Sequence, residues 1–189
     1  NGTGTAGGEQ DITLTNASNE FGSLVLTGAA VNITESGDTD LRTGGTTTDT
    51  DVSSLRITSS GDITDGGTLI VAGLAELIAG SGSLVFDNTM ADDFTPANTN
   101  FGALTLSIRD DIEITEASST ELRGVSTQGN FTLNSAGAIT KTAAAIVVLG
   151  DVNLLADTNG TGTGGGEADI TLDGTGNIFG DQAADGITF

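Results

Sequence analysis

The sequence predicts an all-β protein whose chain winds into a parallel β-helix, a β-solenoid of stacked coils. Three observations lead to this fold class: short runs of alternating apolar and polar residues, turn residues between the runs, and internal repetition of the whole pattern. At about 20 residues per coil, the 189 residues would form about nine coils. With a strand spacing of about 4.8 Å, such a stack would be about 43 Å long.

The alternating runs are the candidate strands. Residues 12–15, 24–27 and 31–34 each place an apolar side chain at every second position, and Gly, Asn, Asp and Ser separate the runs. Leu69–Ala79 is apolar enough for a short helix, but its counterpart 146–156 has β-branched residues and a Gly-Asp break, so we predict strand. The residues predicted to point inward are Ile12, Leu14, Leu24, Leu26, Ile33, Leu55, Ile57, Leu104, Leu106, Ile112, Ile114, Leu133, Leu154, Ile170 and Leu172.

The repetition has two lengths. Residues 1–22 recur as residues 159–180, a shift of 158, and a unit of about half that length is also present. For example, residues 21–26 (FGSLVL) match residues 101–106 (FGALTL). A repeat of about 80 residues that spans the chain predicts one continuous solenoid segment rather than separate domains.

The boundaries of the repeats follow from these matches. We place the units at roughly 12–83, 84–169 and 170–189, within a single segment 1–189. Two polar stretches, 43–52 and 95–100, interrupt the pattern without disturbing its continuation. Insertions of this kind are typical of surface loops, so both are predicted loops.

The charge balance excludes several classes of partner. Lys and Arg number 5 against 26 Asp and Glu, which gives a net charge of −21. Such a chain repels nucleic-acid phosphates and anionic lipid, and it has no run of about 18 apolar residues for a membrane span. We therefore expect neither nucleic-acid binding nor membrane insertion in this segment.

Catalytic residues are not recognisable in the sequence. The chain has no His and no Cys, and its few basic residues are scattered among its acids. Some β-helices are polysaccharide lyases, but these combine carboxylate-bound calcium with an Arg or Lys base in one dense cluster. Rows of Thr would suit an ice-binding face, yet the equivalent positions vary to Asp173 and Val85. We expect a non-catalytic protein, with a polysaccharide-active enzyme and an ice-binding protein as less favoured readings.

Calcium and sugars are the ligands that the sequence leaves open. No cofactor is expected beyond weakly bound surface calcium, because Ca²⁺ needs six to eight oxygen ligands and no short segment supplies them. The candidate calcium carboxylates are Asp38, Asp40, Asp49, Asp51, Asp92, Asp93, Asp110 and Asp111. Asn-x-Ser/Thr sequences provide candidate glycosylation sites at Asn16, Asn32, Asn130 and Asn159.

The repeat motifs resemble those of a known class of proteins. Residues 11–22, 101–106, 137–140 and 169–180 carry the motifs DITLxNxxNxFG, G-A/S-L-x-L and GxIT. They resemble the repeats of giant bacterial surface exoproteins, the filamentous-haemagglutinin-like or β-strand-repeat adhesins. The resemblance implies a right-handed β-helix shaft, an extracellular location at the bacterial cell surface, and roles in attachment, filaments or biofilm matrix.

The expected function is therefore that of a structural or adhesive fibre segment. Its expected partners are the continuation of the same polypeptide or further copies, joined end to end or laterally, and surface glycans. The alternative is a solenoid module that binds glycans or cations. A glycan module should have an aromatic platform, but the chain has no Trp or Tyr, and Phe21, Phe101 and Phe179 recur at one repeat position, which favours a coil-stacking role.

Overall fold

The predicted fold class is confirmed by a computed structural model, which describes residues 10–41, 50–66, 69–86, 99–156 and 168–180. These residues form sixteen β-strands, and the strands pair in parallel. The described part of the chain contains no helix, and so none that could cross a membrane. Leu69–Ala79 is a strand, as predicted, and it is the longest of the sixteen.

The strands, in chain order, have the following bounds. They are β1 (Ile12–Leu14), β2 (Thr27–Glu35), β3 (Thr39–Leu41), β4 (Thr50–Ser59), β5 (Ile63–Asp65), β6 (Leu69–Ala79), β7 (Leu84–Phe86), β8 (Thr99–Ile108), β9 (Ile112–Glu116), β10 (Thr120–Thr127), β11 (Phe131–Ser135), β12 (Ile139–Lys141), β13 (Ile146–Val148), β14 (Val152–Leu155), β15 (Ile170–Thr171) and β16 (Ile178–Phe179).

The strands stack in two ladders. The first ladder runs β1-β2-β4-β6-β8-β10, and the pairs β12/β13 and β15/β16 continue it. The second ladder runs β3-β5-β7-β9-β11-β14. Because the chain passes from one ladder to the other and back before it reaches the next level, each coil contributes strands to both ladders.

The coil length agrees with the prediction wherever no insertion intervenes. In the first ladder the stacked residues Ile12, Val31, Leu55, Ala75, Leu104 and Leu122 are separated by 19, 24, 20, 29 and 18 residues. The two long steps contain the two predicted insertions. The described residues form about six turns, whereas about nine were predicted for all 189 residues. The insertions end earlier than predicted, because β4 begins at Thr50 and β8 at Thr99.

The core consists of apolar side chains that stack on their equivalents in the neighbouring coils. Strands such as β9 and β11 bury every second side chain, which is the alternation that the sequence predicts. Most of the predicted inward residues are buried, and Ile12, Leu24, Leu154 and Leu172 are partly buried against the core. Leu14 and Ile170 are the exceptions, at 41% and 44% exposed. Both lie in the outermost described coils, where a stacked neighbour is present on one side only.

Candidate functional site

Those candidate calcium carboxylates that the structure describes do not converge on one place. Asp38 and Asp111 are exposed and lie in turns, one residue before β3 and β9. Asp40 lies within β3, and Asp110 lies beside Asp111. Asp51 is in β4, and Asp49, Asp92 and Asp93 lie outside the described residues. Within the described ranges, no three acidic side chains gather closely enough to hold a metal ion.

Asp38 and Asp111 instead bind the backbone of the neighbouring coil. Asp38 Oδ1 accepts a hydrogen bond from the Asp62 backbone N–H at 3.0 Å, and Asp111 Oδ1 accepts one from Asn130 at 2.7 Å. Asp38 and Asp111 each lie one residue before a buried strand residue. Their donors, Asp62 and Asn130, lie at the equivalent positions of the neighbouring coil. These two carboxylates therefore connect neighbouring coils through hydrogen bonds.

This arrangement recurs at most corners, and we call it the corner ladder. Its members are the residues whose side-chain oxygen accepts a hydrogen bond from the backbone N–H one coil further on: Asp11, Asp38, Asp62, Asp111, Ser119 and Asn130. The bond lengths lie between 2.7 and 3.1 Å. Because the bonds satisfy turn N–H groups that the strand ladders leave unpaired, the corner ladder stabilises the places where the chain changes direction.

The corner ladder also determines where glycine is required. A Cβ atom on Gly61, Gly82 or Gly129 would lie 1.9, 2.3 or 2.5 Å from the side-chain oxygen of the ladder residue in the preceding coil. Gly137 and Gly150 stand at the same place, with distances of 2.3 and 2.6 Å. The need for glycine is a close approach, since none of these five has a positive φ. Sequence reasoning missed this role, although a signal is present: four of the five glycines are followed by Asp, Asn or Ser, and Gly137 is followed by Ala138.

Two buried glutamates form the second polar feature, which we call the glutamate brace. Glu35 ends β2 and Glu116 ends β9, at equivalent repeat positions, and they are 2% and 0% exposed. Glu35 accepts hydrogen bonds from the Phe21 N–H at 2.6 Å and the Thr39 hydroxyl at 2.8 Å. A brace therefore ties the end of a strand to a segment about 14 residues earlier in the chain.

The brace at Glu116 repeats this geometry in more detail. Its carboxylate accepts hydrogen bonds from the Phe101 N–H at 3.0 Å, from the Ser118 hydroxyl at 3.3 Å and from the Thr120 hydroxyl. Thr120 also lies 3.1 Å from the Ser135 hydroxyl, which donates to the Ser118 carbonyl. The partners are all neutral, so the carboxylate has no cation to balance its charge in these contacts.

Burial controls the protonation of Glu116. The loss of solvation raises the pKa of Glu116 from 4.5 to about 7, although the hydrogen bonds from Thr120, Phe101 and Ser118 act in the opposite direction. Glu116 can thus take up and release a proton near neutral pH. The sequence carried a signal for its burial, because the alternation Ile114-Thr115-Glu116 places this glutamate on the inward side.

The described basic residues make few contacts, which include a hydrogen bond between two coils from Lys141 Nζ to Asp173 O at 2.8 Å. Arg56 pairs with Glu76 at 2.7 Å and Arg123 with Glu121 at 2.8 Å, and both pairs are solvent-exposed. A hydrogen bond from Thr142, together with Arg123, lowers the pKa of Glu121. Exposed pairs of this kind contribute little to stability. The pair of Arg56 and Glu76 joins two neighbouring strands, the pair of Arg123 and Glu121 lies within one strand, and the two pairs do not form a binding cluster.

The candidate glycosylation sites differ in their surroundings. Asn16 is exposed, and its Oδ1 accepts a hydrogen bond from the Ser18 N–H at 2.9 Å. Asn32 is half-buried in β2, and Asn130 is a member of the corner ladder. Asn159 lies outside the described residues. Glycosylation stays a prediction.

Calcium binding also stays a prediction, and the charge density gives it a test. The net charge of −21 belongs to the whole chain, whose predicted stack of about 43 Å would carry roughly one charge per 2 Å. This is close to the density of duplex DNA, about one charge per 1.7 Å. Adding calcium to chelated protein should therefore increase light scattering, because divalent ions reduce the repulsion between stacks. Sodium chloride of equal ionic strength is the control, and an unchanged signal would contradict the prediction.

Comparison with known proteins gives one match. Three successive segments, 1–28, 28–107 and 109–184, match the family described as repeats of unknown function (DUF5649). No curated protein and no solved structure matches the chain. The three segments cover nearly the whole sequence and follow one another without overlap beyond a single residue. The chain belongs to this family of tandem repeats of unknown function, DUF5649.

Proposed function

We propose that the chain is a segment of a non-catalytic extracellular fibre, the shaft of a bacterial surface adhesin, filament or biofilm-matrix protein. The observation that carries the proposal is the uniform coil-on-coil stacking. Ile33, Ile57, Leu77, Leu106 and Val125 form one column through successive coils. A fold whose coils contact only their neighbours suits a shaft, because it lengthens by adding coils without changing the core.

The polar features of the coils support a mechanical role. The corner ladder joins backbone to side chain between successive coils, and the glutamate brace fixes a strand end to the segment around Phe21 or Phe101. Both features recur in equivalent places of the repeat. An active centre usually differs from its surroundings in one place, whereas a structural device recurs with the repeat. The recurrence therefore favours a structural role for these buried carboxylates.

Three of the five described phenylalanines give the glycan-binding alternative no support, because they are buried. Phe86 and Phe101 are buried, and their rings stack with centroids 5.9 Å apart. Phe131 is also fully buried. A carbohydrate platform needs an exposed ring face, and these three rings lie inside the core. The extracellular location remains part of the proposal and is supported by the resemblance of the repeats to those of surface exoproteins.

Negative-stain electron microscopy of the purified 189-residue chain tests the proposal. We expect filaments of constant width, one solenoid or a small bundle across, whose length increases with protein concentration. Light scattering coupled to size exclusion on the same sample should show a matching rise in mass. Compact particles with the mass of a monomer at every concentration would contradict the fibre function.

A further inference from the structure

The last described coil carries the sequence of the first. Residues 169–180 repeat residues 11–22, with Asp169, Ile170, Leu172 and Asn177 in the places of Asp11, Ile12, Leu14 and Asn19. The structure shows what packs on this sequence in the first coil. Strand β2 lies on β1 in the register Ile12 to Val31 and Leu14 to Ile33.

Three hydrogen bonds that involve side chains join the first coil to the strand that covers it. The Asn19 side-chain amide donates to its own coil at Leu14 O, 3.0 Å, and to the covering strand at Thr34 O, 3.1 Å. Asp11 Oδ1 accepts from the Ala30 N–H at 3.1 Å, and the Phe21 N–H donates to Glu35 at 2.6 Å. Strand β2 thus contacts the first coil both through stacked apolar side chains and through hydrogen bonds.

The last coil makes its own half of these contacts. The Asn177 side-chain amide donates to Leu172 O at 3.2 Å, which reproduces the bond from Asn19 to Leu14 O. Within the described residues, the bond that corresponds to Asn19 and Thr34 O is not made. Asp169 is exposed, and its carboxylate accepts no hydrogen bond in the described part of the chain.

The apolar half of the contact is open as well. Ile170 and Ile178 are 44% and 37% exposed. Beside them lies an open apolar groove of about 420 Å³, whose lining includes Val152, Leu154, Leu172 and Phe179. We call the residues Asp169, Ile170, Leu172, Asn177 and Phe179, with this groove, the end surface.

We propose that the end surface binds a solenoid coil with the sequence of residues 23–41, supplied by a second copy of this repeat. In this joint Ile170 and Leu172 take the place that Ile12 and Leu14 hold in the second copy, so that its Val31 and Ile33 lie on them in the register seen within the chain. Thr34 O then accepts the second hydrogen bond of Asn177. The inference rests on the proposed fibre function for its partner, and it specifies the joint through which the fibre continues.

The chemistry of the joint predicts an unusual salt dependence. The incoming coil brings Glu35, Asp38 and Asp40 towards an end surface that already holds Asp169 and Asp173. Since both sides are acidic, salt should strengthen the association by screening their repulsion. A cationic protein bound non-specifically to the acidic stack would show the opposite dependence.

The test uses the 189-residue chain and a fluorescein-labelled synthetic peptide of residues 23–41. Fluorescence anisotropy should show saturable binding of one peptide per chain, tighter at higher salt. The control peptide carries Val31→Asp and Ile33→Asp and should not bind. On the chain, Ile170→Asp should weaken binding by about tenfold or more, because it removes an apolar contact that the peptide would bury. Val25→Asp, at a side chain that is 50% exposed and outside the end surface, should leave binding unchanged.

The outcomes separate this joint from the fibre function. Absent or non-saturable binding overturns the inference, and so does equal binding of the two peptides or binding that Ile170→Asp does not weaken. Ile178→Asp serves as a second exposed position if Ile170→Asp alters the circular dichroism spectrum. Filaments in the microscope without peptide binding would leave the fibre function standing and refute this joint. Peptide binding without filaments would support this joint and contradict the fibre function.

Discussion

Replacing Gly129 with Ala should destabilise the solenoid by about 2–3 kcal/mol, whereas Gly37→Ala should leave its stability unchanged or raise it by up to about 1 kcal/mol. Both glycines precede an Asp or Asn at a corner, and neither has a positive φ. Helix or strand propensity therefore predicts similar effects at the two positions. The stacking of the coils predicts very different ones.

The difference lies in the neighbouring coil. A Cβ on Gly129 would lie 2.5 Å from Asp111 Oδ1 and 2.6 and 2.7 Å from the backbone carbon and oxygen of Asp110. The carboxylate could rotate away, at the cost of its hydrogen bond to Asn130, but the backbone of Asp110 cannot move without shifting its coil. No atom lies within 4 Å of a Cβ on Gly37. The extra methyl there reduces the entropy of the unfolded chain without a clash.

Urea unfolding followed by circular dichroism measures the two effects under identical conditions. Hydrogen exchange of the Asn130 amide adds a local probe, because this N–H donates to Asp111 Oδ1 in the wild-type chain. We expect Gly129→Ala to accelerate its exchange and Gly37→Ala to leave it unchanged. Equal losses of stability in the two variants would show that the corner glycines are not selected by the close approach of coils.

The core residues of this fold can be predicted from the sequence because each coil repeats the same alternation of apolar and polar residues. Alternation assigns Ile33 and Ile57 to the inside, and repetition stacks them, so no long-range information is needed. Division of the chain length by an average of about 20 residues gives only an approximate coil count, because the steps to Leu55 and Leu104 take 24 and 29 residues. The exposure of Leu14 and Ile170 depends on their place at the ends of the described stack, which alternation does not encode.

The corner ladder and the glutamate brace could not be predicted from the spacing of residues along the chain alone. Asp38 and Asp40 have the spacing of neighbouring ligands on a strand, which led to the calcium prediction. The role of Asp38 becomes visible only when Asp62 is known to lie one coil above it. In the same way, alternation places Glu116 inside, but its partner, the Phe101 N–H, is identified only by the three-dimensional path of the chain.

Glu116 should make the solenoid more stable in mild acid than at neutral pH. Because its pKa is about 7 in the folded chain and 4.5 without burial, the folded state binds the proton more tightly. Its stabilising contribution is therefore complete below about pH 4.5 and is lost as the pH rises through about 7. The shift corresponds to about 3 kcal/mol over the whole range.

The variant Glu116→Gln should abolish this dependence. Glutamine can accept from the Phe101 N–H with its oxygen and donate to Thr120 with its amide, while Thr120 donates to Ser135. It thus imitates the protonated glutamate at every pH. The matched control is Glu113→Gln, an exposed glutamate on the same strand, which should keep the wild-type dependence.

Comparing the variants separates the contribution of Glu116 to the pH dependence of stability from that of the other charged groups. With a net charge of −21, every form of the chain gains stability as acid removes repulsion, so the wild-type curve alone cannot assign the effect. Free energies of unfolding from urea titrations between pH 4.5 and 8, at constant ionic strength, should fall by about 3 kcal/mol more for the wild type and Glu113→Gln than for Glu116→Gln. Parallel curves for the three proteins would show that Glu116 is already ionised in the folded core. The Phe101 N–H and the neutral hydroxyls of the brace would then stabilise a buried carboxylate anion without a cation among these contacts.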